Sequence, residues 1–154
     1  MTAAPLKPIL LVEDNPKDLE LTLIALERSR LANEVICLRD GQEALDYLYC
    51  REAYEKREKG NPAVVLLDLK LPKVDGLQVL ESIKNDQDLK SVPVVVLTSS
   101  REEPDLERSY QLGVNAFVIK PVRFQDFLKA IQDLGGFWAV LNEPPPGSAR
   151  LRRE

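Results

Sequence analysis

"LLDLKLPKVDG", residues 66–76, carries an apolar run up to an acid, Asp68, passes through Lys70 and Pro72, and turns on Asp75 and Gly76. Read with the residues before it, the run is AVVLLDL (63–69). Its hydrophobicity is continuous rather than alternating, which marks a strand buried on both faces, as in a parallel sheet. PILLV (8–12), PVVVLTS (93–99) and NAFVIK (115–120) have the same character, and EVICLR (34–39) is a weaker fifth run.

Between the runs the apolar period lengthens to that of helices. Leu19, Leu23 and Leu26 predict the first, with Asn15 as its cap and Pro16 in its first turn. Ala44, Leu45, Leu48 and Tyr49 predict the second; Leu77, Leu80 and Ile83 the third; Leu106 and Tyr110 a short fourth. Phe124, Phe127, Leu128, Ile131 and Leu134 form the clearest stripe, for the fifth. The second helix is expected to continue through CREAYEKREKG (50–60), where Glu52 and Lys56, and Glu55 and Lys59, have helix-supporting spacing. Parallel neighbours require helical crossovers, so the expected fold is α/β, a doubly wound five-stranded parallel sheet with five helices.

Composition narrows the function classes. With 154 residues, 44% apolar and 30% charged, the chain suits one well-buried domain. A net charge of -4 offers no basic field for nucleic acid or an anionic membrane. Cys37 and Cys50 form no CxxC pair and there is no His, so zinc and disulfide frameworks are disfavoured and both thiols are expected buried and reduced. No apolar segment approaches the ~18 residues of a membrane span. The start, MTAAPLKP, lacks a signal pattern, which makes the cytoplasm the expected address. After Leu141 the Pro-rich, polar stretch NEPPPGSARLRRE (142–154) is expected to be a disordered tail.

Ligands of open α/β sheets bind outside the carboxyl ends of the strands. Those ends carry Glu13 and Asp14, Asp68, Thr98 and Ser99, and Lys120 followed by Pro121. Any one acid could be a helix cap. Three together repel, by about 4 kcal/mol per pair at ~4 Å and an effective dielectric of ~20. Mg²⁺ relieves that: it takes oxygens, tolerates one or two carboxylates and shares phosphate. Asp68 can then attack phosphorus to form an acyl phosphate, with Mg²⁺, Lys120 and the Thr98 hydroxyl each neutralising one phosphoryl oxygen.

ILLVEDN, LLDLKLPKVDG, VVVLTSS and AFVIKPV resemble the receiver domain of two-component response regulators, from about Lys7 to Leu141, with residues 1–6 as an extension. The resemblance implies a flavodoxin-like sheet of order 2-1-3-4-5 and phosphorylation of Asp68 by a partner histidine kinase. It implies that Asp14, Asp68 and the Lys70 backbone carbonyl hold Mg²⁺, with Glu13 acting through water, and that Thr98 and Lys120 bind the phosphoryl group. Small Ser99 leaves the phosphate accessible, Lys70 and Ser100 flank the attacking water and tune lifetime, and Phe117 with Thr98 forms the switch. The Lys120–Pro121 bond is implied to be cis. The second helix, LRDGQEALDYL, PVVVLTSS and Phe137-Trp138 further resemble stand-alone regulators paired with phytochrome-type kinases.

No output segment is expected after residue 141, so signalling should run through protein contacts. Tyr110, Phe124, Phe127, Phe137 and Trp138 are candidate contacts of a homodimer. Phe137 and Trp138 could equally fold back to finish the core. Two rival readings stand. A haloacid-dehalogenase-type phosphatase shares the Asp nucleophile and Mg²⁺, but needs a second Asp where this chain has Lys70. The other is a receiver-like module that is never phosphorylated, against which intact Asp68, Thr98 and Lys120 weigh.

Overall fold

A computed structural model describes residues 7–29, 31, 33–99 and 104–133. Its strands are β1 (Ile9–Val12), β2 (Val35–Leu38), β3 (Val64–Asp68), β4 (Val94–Thr98) and β5 (Ala116–Ile119). They alternate with α1 (Pro16–Arg28), α2 (Gly41–Leu48), α3 (Gly76–Asn85), α4 (Pro104–Gln111) and α5 (Phe124–Asp133). The sheet is parallel throughout and ordered β2-β1-β3-β4-β5, as expected. No helix of the described residues is long and apolar enough to cross a membrane.

Alternation along the strands builds two cores. Leu10, Val12, Val65, Leu67, Val94 and Val96 meet α2, α3 and Leu106 of α4 on one face. Ile9, Leu11, Val64, Leu66, Val95 and Leu97 meet Ala25 and Leu26 of α1 and Phe127, Ala130 and Ile131 of α5 on the other. Both faces being covered, the central strands are apolar at every position before their last, which explains their continuous runs. The register sets Val12 beside Leu67, Asp68 beside Leu97 and Thr98 beside Ile119, so the polar residues at the strand ends finish on one rim.

Caps start the helices where that rim needs them. The Asn15 side chain accepts from the Lys17 and Asp18 backbone N–H groups at 2.9 and 3.0 Å, and Asp40 caps α2 through Glu43. Asp75 and Gln78 form a reciprocal capping box at α3. Gly41 and Gly76 are both required by close approach: a Cβ on the first would strike the Val74 carbonyl, and on the second the Asp68 carbonyl.

Several local expectations are corrected. The second helix stops at Leu48 instead of running through residues 50–60, because Cys50 and Glu52 both adopt left-handed backbone, each with φ of 54°. The chain then folds back: the Arg57 guanidinium donates to the Tyr47 carbonyl at 2.7 Å and covers the Tyr47 ring, while the Tyr54 hydroxyl donates to Glu43. This clamp makes Tyr47 the buried tyrosine of α2 and leaves Tyr49 exposed. Cys37 is exposed on the outer strand β2 and Cys50 half-buried, so neither is the buried thiol expected, although both are free. In α4 the inward residues are Leu106 and Ser109, and Tyr110 faces out. Leu134, the proposed tail and residues 1–6 lie outside the described residues.

The packing of Gly76 leads to a reversed substitution effect. Gly→Ala at a helix position ordinarily stabilises, by about 1 kcal/mol. Gly76→Ala should instead destabilise by about 1–3 kcal/mol, the usual cost of forcing atoms into filled space, measured as a lower urea midpoint with unchanged slope.

Candidate functional site

Five side chains meet where β1, β3 and β5 end. Glu13, immediately after β1, is wholly buried. One of its oxygens, Oε2, accepts from the Asn15 backbone N–H at 3.2 Å. The other, Oε1, stands 2.9 Å from the Lys120 ammonium, near enough for an ion pair but off the line of a hydrogen bond, so it keeps unspent accepting capacity. Asp68, the last residue of β3, is buried; its Oδ1 accepts from the Lys70 backbone N–H at 3.0 Å and its Oδ2 from Lys120 Nζ at 2.8 Å. Asp14 sits nearer solvent, with the Arg39 guanidinium on its backbone carbonyl.

Lys120 follows β5, held by its backbone N–H to the Thr98 carbonyl at 2.7 Å, and the Lys120–Pro121 peptide is cis, as implied. Its ammonium reaches a third carboxylate that sequence reasoning missed: Asp18 of α1, with Oδ2 at 3.1 Å. Thr98 ends β4 and is buried, while Ser99 beyond it is exposed. Phe117 on β5 is half-buried on the α4 side and makes an edge contact with Tyr110, ring centres 5.9 Å apart. Lys70 is an exposed residue. Ser100 falls outside the described residues, as do Phe137 and Trp138. Phe127 has no exposed surface and belongs to the core, which removes it from the candidate dimer contacts.

The sequence matches the response regulator receiver domain family over residues 9–132. The chain belongs to that family. A solved receiver described as bacteriophytochrome response regulator RtBRR is 65% identical, with a TM-score of 0.84, covering 96% of this chain and 89% of its own. AtBRR, described likewise, is 68% identical with a TM-score of 0.83, covering 91% of this chain and 100% of its own. Response regulator Rcp1 of Synechocystis is 44% identical over 134 residues, 87% of this chain and 90% of that protein. A structure of Rcp1 is described as Mn²⁺-bound. As a response regulator receiver this chain is a signalling protein of the two-component kind, whose members interact with histidine kinases. The phosphatase alternative is not favoured.

The receiver's acidic cluster fits a divalent cation. Glu13, Asp14 and Asp68 can each present one oxygen with all three within 4.8 Å of one another. The under-used buried Oε1 of Glu13 supplies the kind of vacancy in hydrogen bonding that a hard ion, or its water, satisfies. Electrostatics agree. Burial and the neighbouring Asp68 push the Glu13 carboxyl up to about 7, against the opposing pull of Lys120. Burial alone would lower the Lys120 ammonium, but its close contacts with Asp68 and Glu13 outweigh that and hold it well above its ordinary value.

Cation affinity should therefore depend on pH. Glu13 keeps its proton in the folded chain below about 7, and a cation must displace it. Affinity for Mn²⁺ should rise as pH climbs through 6 to 8 in wild type and flatten in Glu13→Gln. Titration calorimetry in two buffers of different ionisation heat should find proton release on binding near pH 6.5. The stability sign is opposite: a raised carboxyl favours the folded metal-free state most below its unfolded value of 4.5 and loses that contribution as pH rises through about 7.

Proposed function

We propose that Asp68 is the phosphoacceptor of this response regulator and that it takes its phosphoryl group from a histidine kinase. The observation that carries this reading is the pinning of both Asp68 oxygens, Oδ1 by the Lys70 N–H at 3.0 Å and Oδ2 by the Lys120 ammonium at 2.8 Å, beside the acidic cluster. Such a carboxylate is held in one orientation for attack. An Asp68 oxygen bonds phosphorus as the P–N bond to the donor imidazole breaks. Lys120 and the Thr98 hydroxyl then hold phosphoryl oxygens. Glu13, Asp14, Asp68 and the Lys70 carbonyl are the residues that would hold Mg²⁺, which when bound neutralises charge on the transferring group.

Thr98 moving toward the new charge and Phe117 following it would carry the signal to the α4–β5–α5 surface, while Lys70 and Ser100 would set access of water to the acyl phosphate. Beyond its own phosphoryl transfer and loss, the chain is read as having no enzymatic turnover. The likeness to RtBRR and AtBRR makes a bacteriophytochrome the proposed kinase, in the cytoplasm. A homodimer through the same surface is supported by Tyr110, half exposed beside Phe117, and by Phe124, half-buried at the start of α5.

Incubation with acetyl phosphate and Mg²⁺ should add one acid-stable, base-labile phosphate by intact mass. Asp68→Asn should add none, and full labelling of that variant would overturn the assignment. For the dimer, sedimentation at tens of micromolar should give a two-chain species that weakens at least ~10-fold in a Tyr110→Ala, Phe124→Ala double variant, since aromatic anchors commonly carry more than 1 kcal/mol each.

A further inference from the structure

The Lys120 ammonium faces three carboxylates: it donates to Asp68 at 2.8 Å and to Asp18 at 3.1 Å, and it stands 2.9 Å from Glu13 as an ion pair. Two of these have a second task. Glu13 and Asp68 belong, with Asp14, to the cation-competent cluster, whereas Asp18 does not. Once Asp68 carries phosphorus and the cluster carries a cation, the ammonium loses part of its hold on both. Asp18 is the partner that remains.

Its placement is rigid. The Asp18 backbone N–H is tied to the Asn15 cap at 3.0 Å, its carbonyl accepts from the Thr22 hydroxyl at 2.9 Å, and Pro16 precedes it in the first turn. The carboxylate is therefore presented to Lys120 from a fixed helical turn, across 102 residues of chain. Without it, the ammonium would be left to Glu13 and Asp68 alone and would compete for the oxygens the cation needs.

We propose that Asp18 is a positioning residue for phosphoryl transfer: from outside the cation cluster it anchors the Lys120 ammonium so that the charge stays aimed at the phosphoryl group. The proposal rests on Asp68 being the phosphoacceptor. Its effect on the reaction is transmitted through Lys120 and through nothing else.

The test uses the full chain. The single-turnover rate of labelling by acetyl phosphate should fall about tenfold in Asp18→Asn, the size of one charge-assisted hydrogen bond, and recover in Asp18→Glu. In a Lys120→Ala background, Asp18→Asn should change the remaining rate by less than about twofold, because the cycle closes on the shared lysine. A second readout needs neither metal nor phosphate: the ¹⁵Nζ ammonium signal of Lys120 in the metal-free protein should shift and broaden in Asp18→Asn and return in Asp18→Glu. An unchanged rate in Asp18→Asn, an effect that persists without Lys120, or an undisturbed ammonium signal would each overturn the proposal. Failure of the wild-type chain to take up phosphate would instead sink the reading of Asp68, and the ammonium signal would still decide whether Asp18 anchors Lys120.

Discussion

One half-buried ammonium, that of Lys120, balances the rim on which the receiver depends. Carboxylates gathered at the ends of β1 and β3 repel by several kcal/mol at an effective dielectric near ~20, and removing the partner of a buried charge costs about 3–5 kcal/mol. Lys120 meets Glu13, Asp18 and Asp68 at once. Strand order puts β3 between β1 and β4, and β5 beyond, so the lysine reaches across the rim rather than along one strand. The continuous cores on both faces, the caps at Asn15 and Asp75, and the close seating of Gly76 on the Asp68 carbonyl all serve to keep that distance short.

The balance is deliberately incomplete in chemical terms. Three carboxylates face one ammonium and Asp14 adds a fourth acid nearby, so the pocket retains attraction for a further positive charge. The buried oxygen of Glu13 without a hydrogen bond records the same shortfall at the level of one atom. A surplus of acidic oxygens of this kind attracts a hard divalent cation.

Most of the fold was legible because a parallel sheet covered on both faces writes unbroken apolar runs, and because Asn15 and Pro16 announce where the first helix begins. The strand ends then pointed to Glu13, Asp14, Asp68, Thr98 and Lys120 without any distance being known. Asp18 was not legible: an acid in a first helical turn has an ordinary explanation in the helix dipole, and only tertiary geometry brings it to a lysine so far along the chain. The run-on of α2 failed for a related reason. Charge spacing at 52–59 suggested helix, but aromatic and guanidinium contacts among Tyr47, Tyr54 and Arg57 drew the segment back on itself. The same clamp decided which tyrosine is buried. Cys37 was misjudged because β2 is an edge strand, where one face of an apolar run can be open.

Lys120 follows β5 at one edge of the sheet, whereas Glu13 and Asp68 stand at the ends of the paired strands β1 and β3. The counter-charge thus comes from a strand that pairs with neither of theirs and is held to the sheet through β4 alone. Local opening of that edge would withdraw the ammonium and leave the two buried acids facing each other, so the charge balance at the rim ties the edge strand to the middle of the sheet.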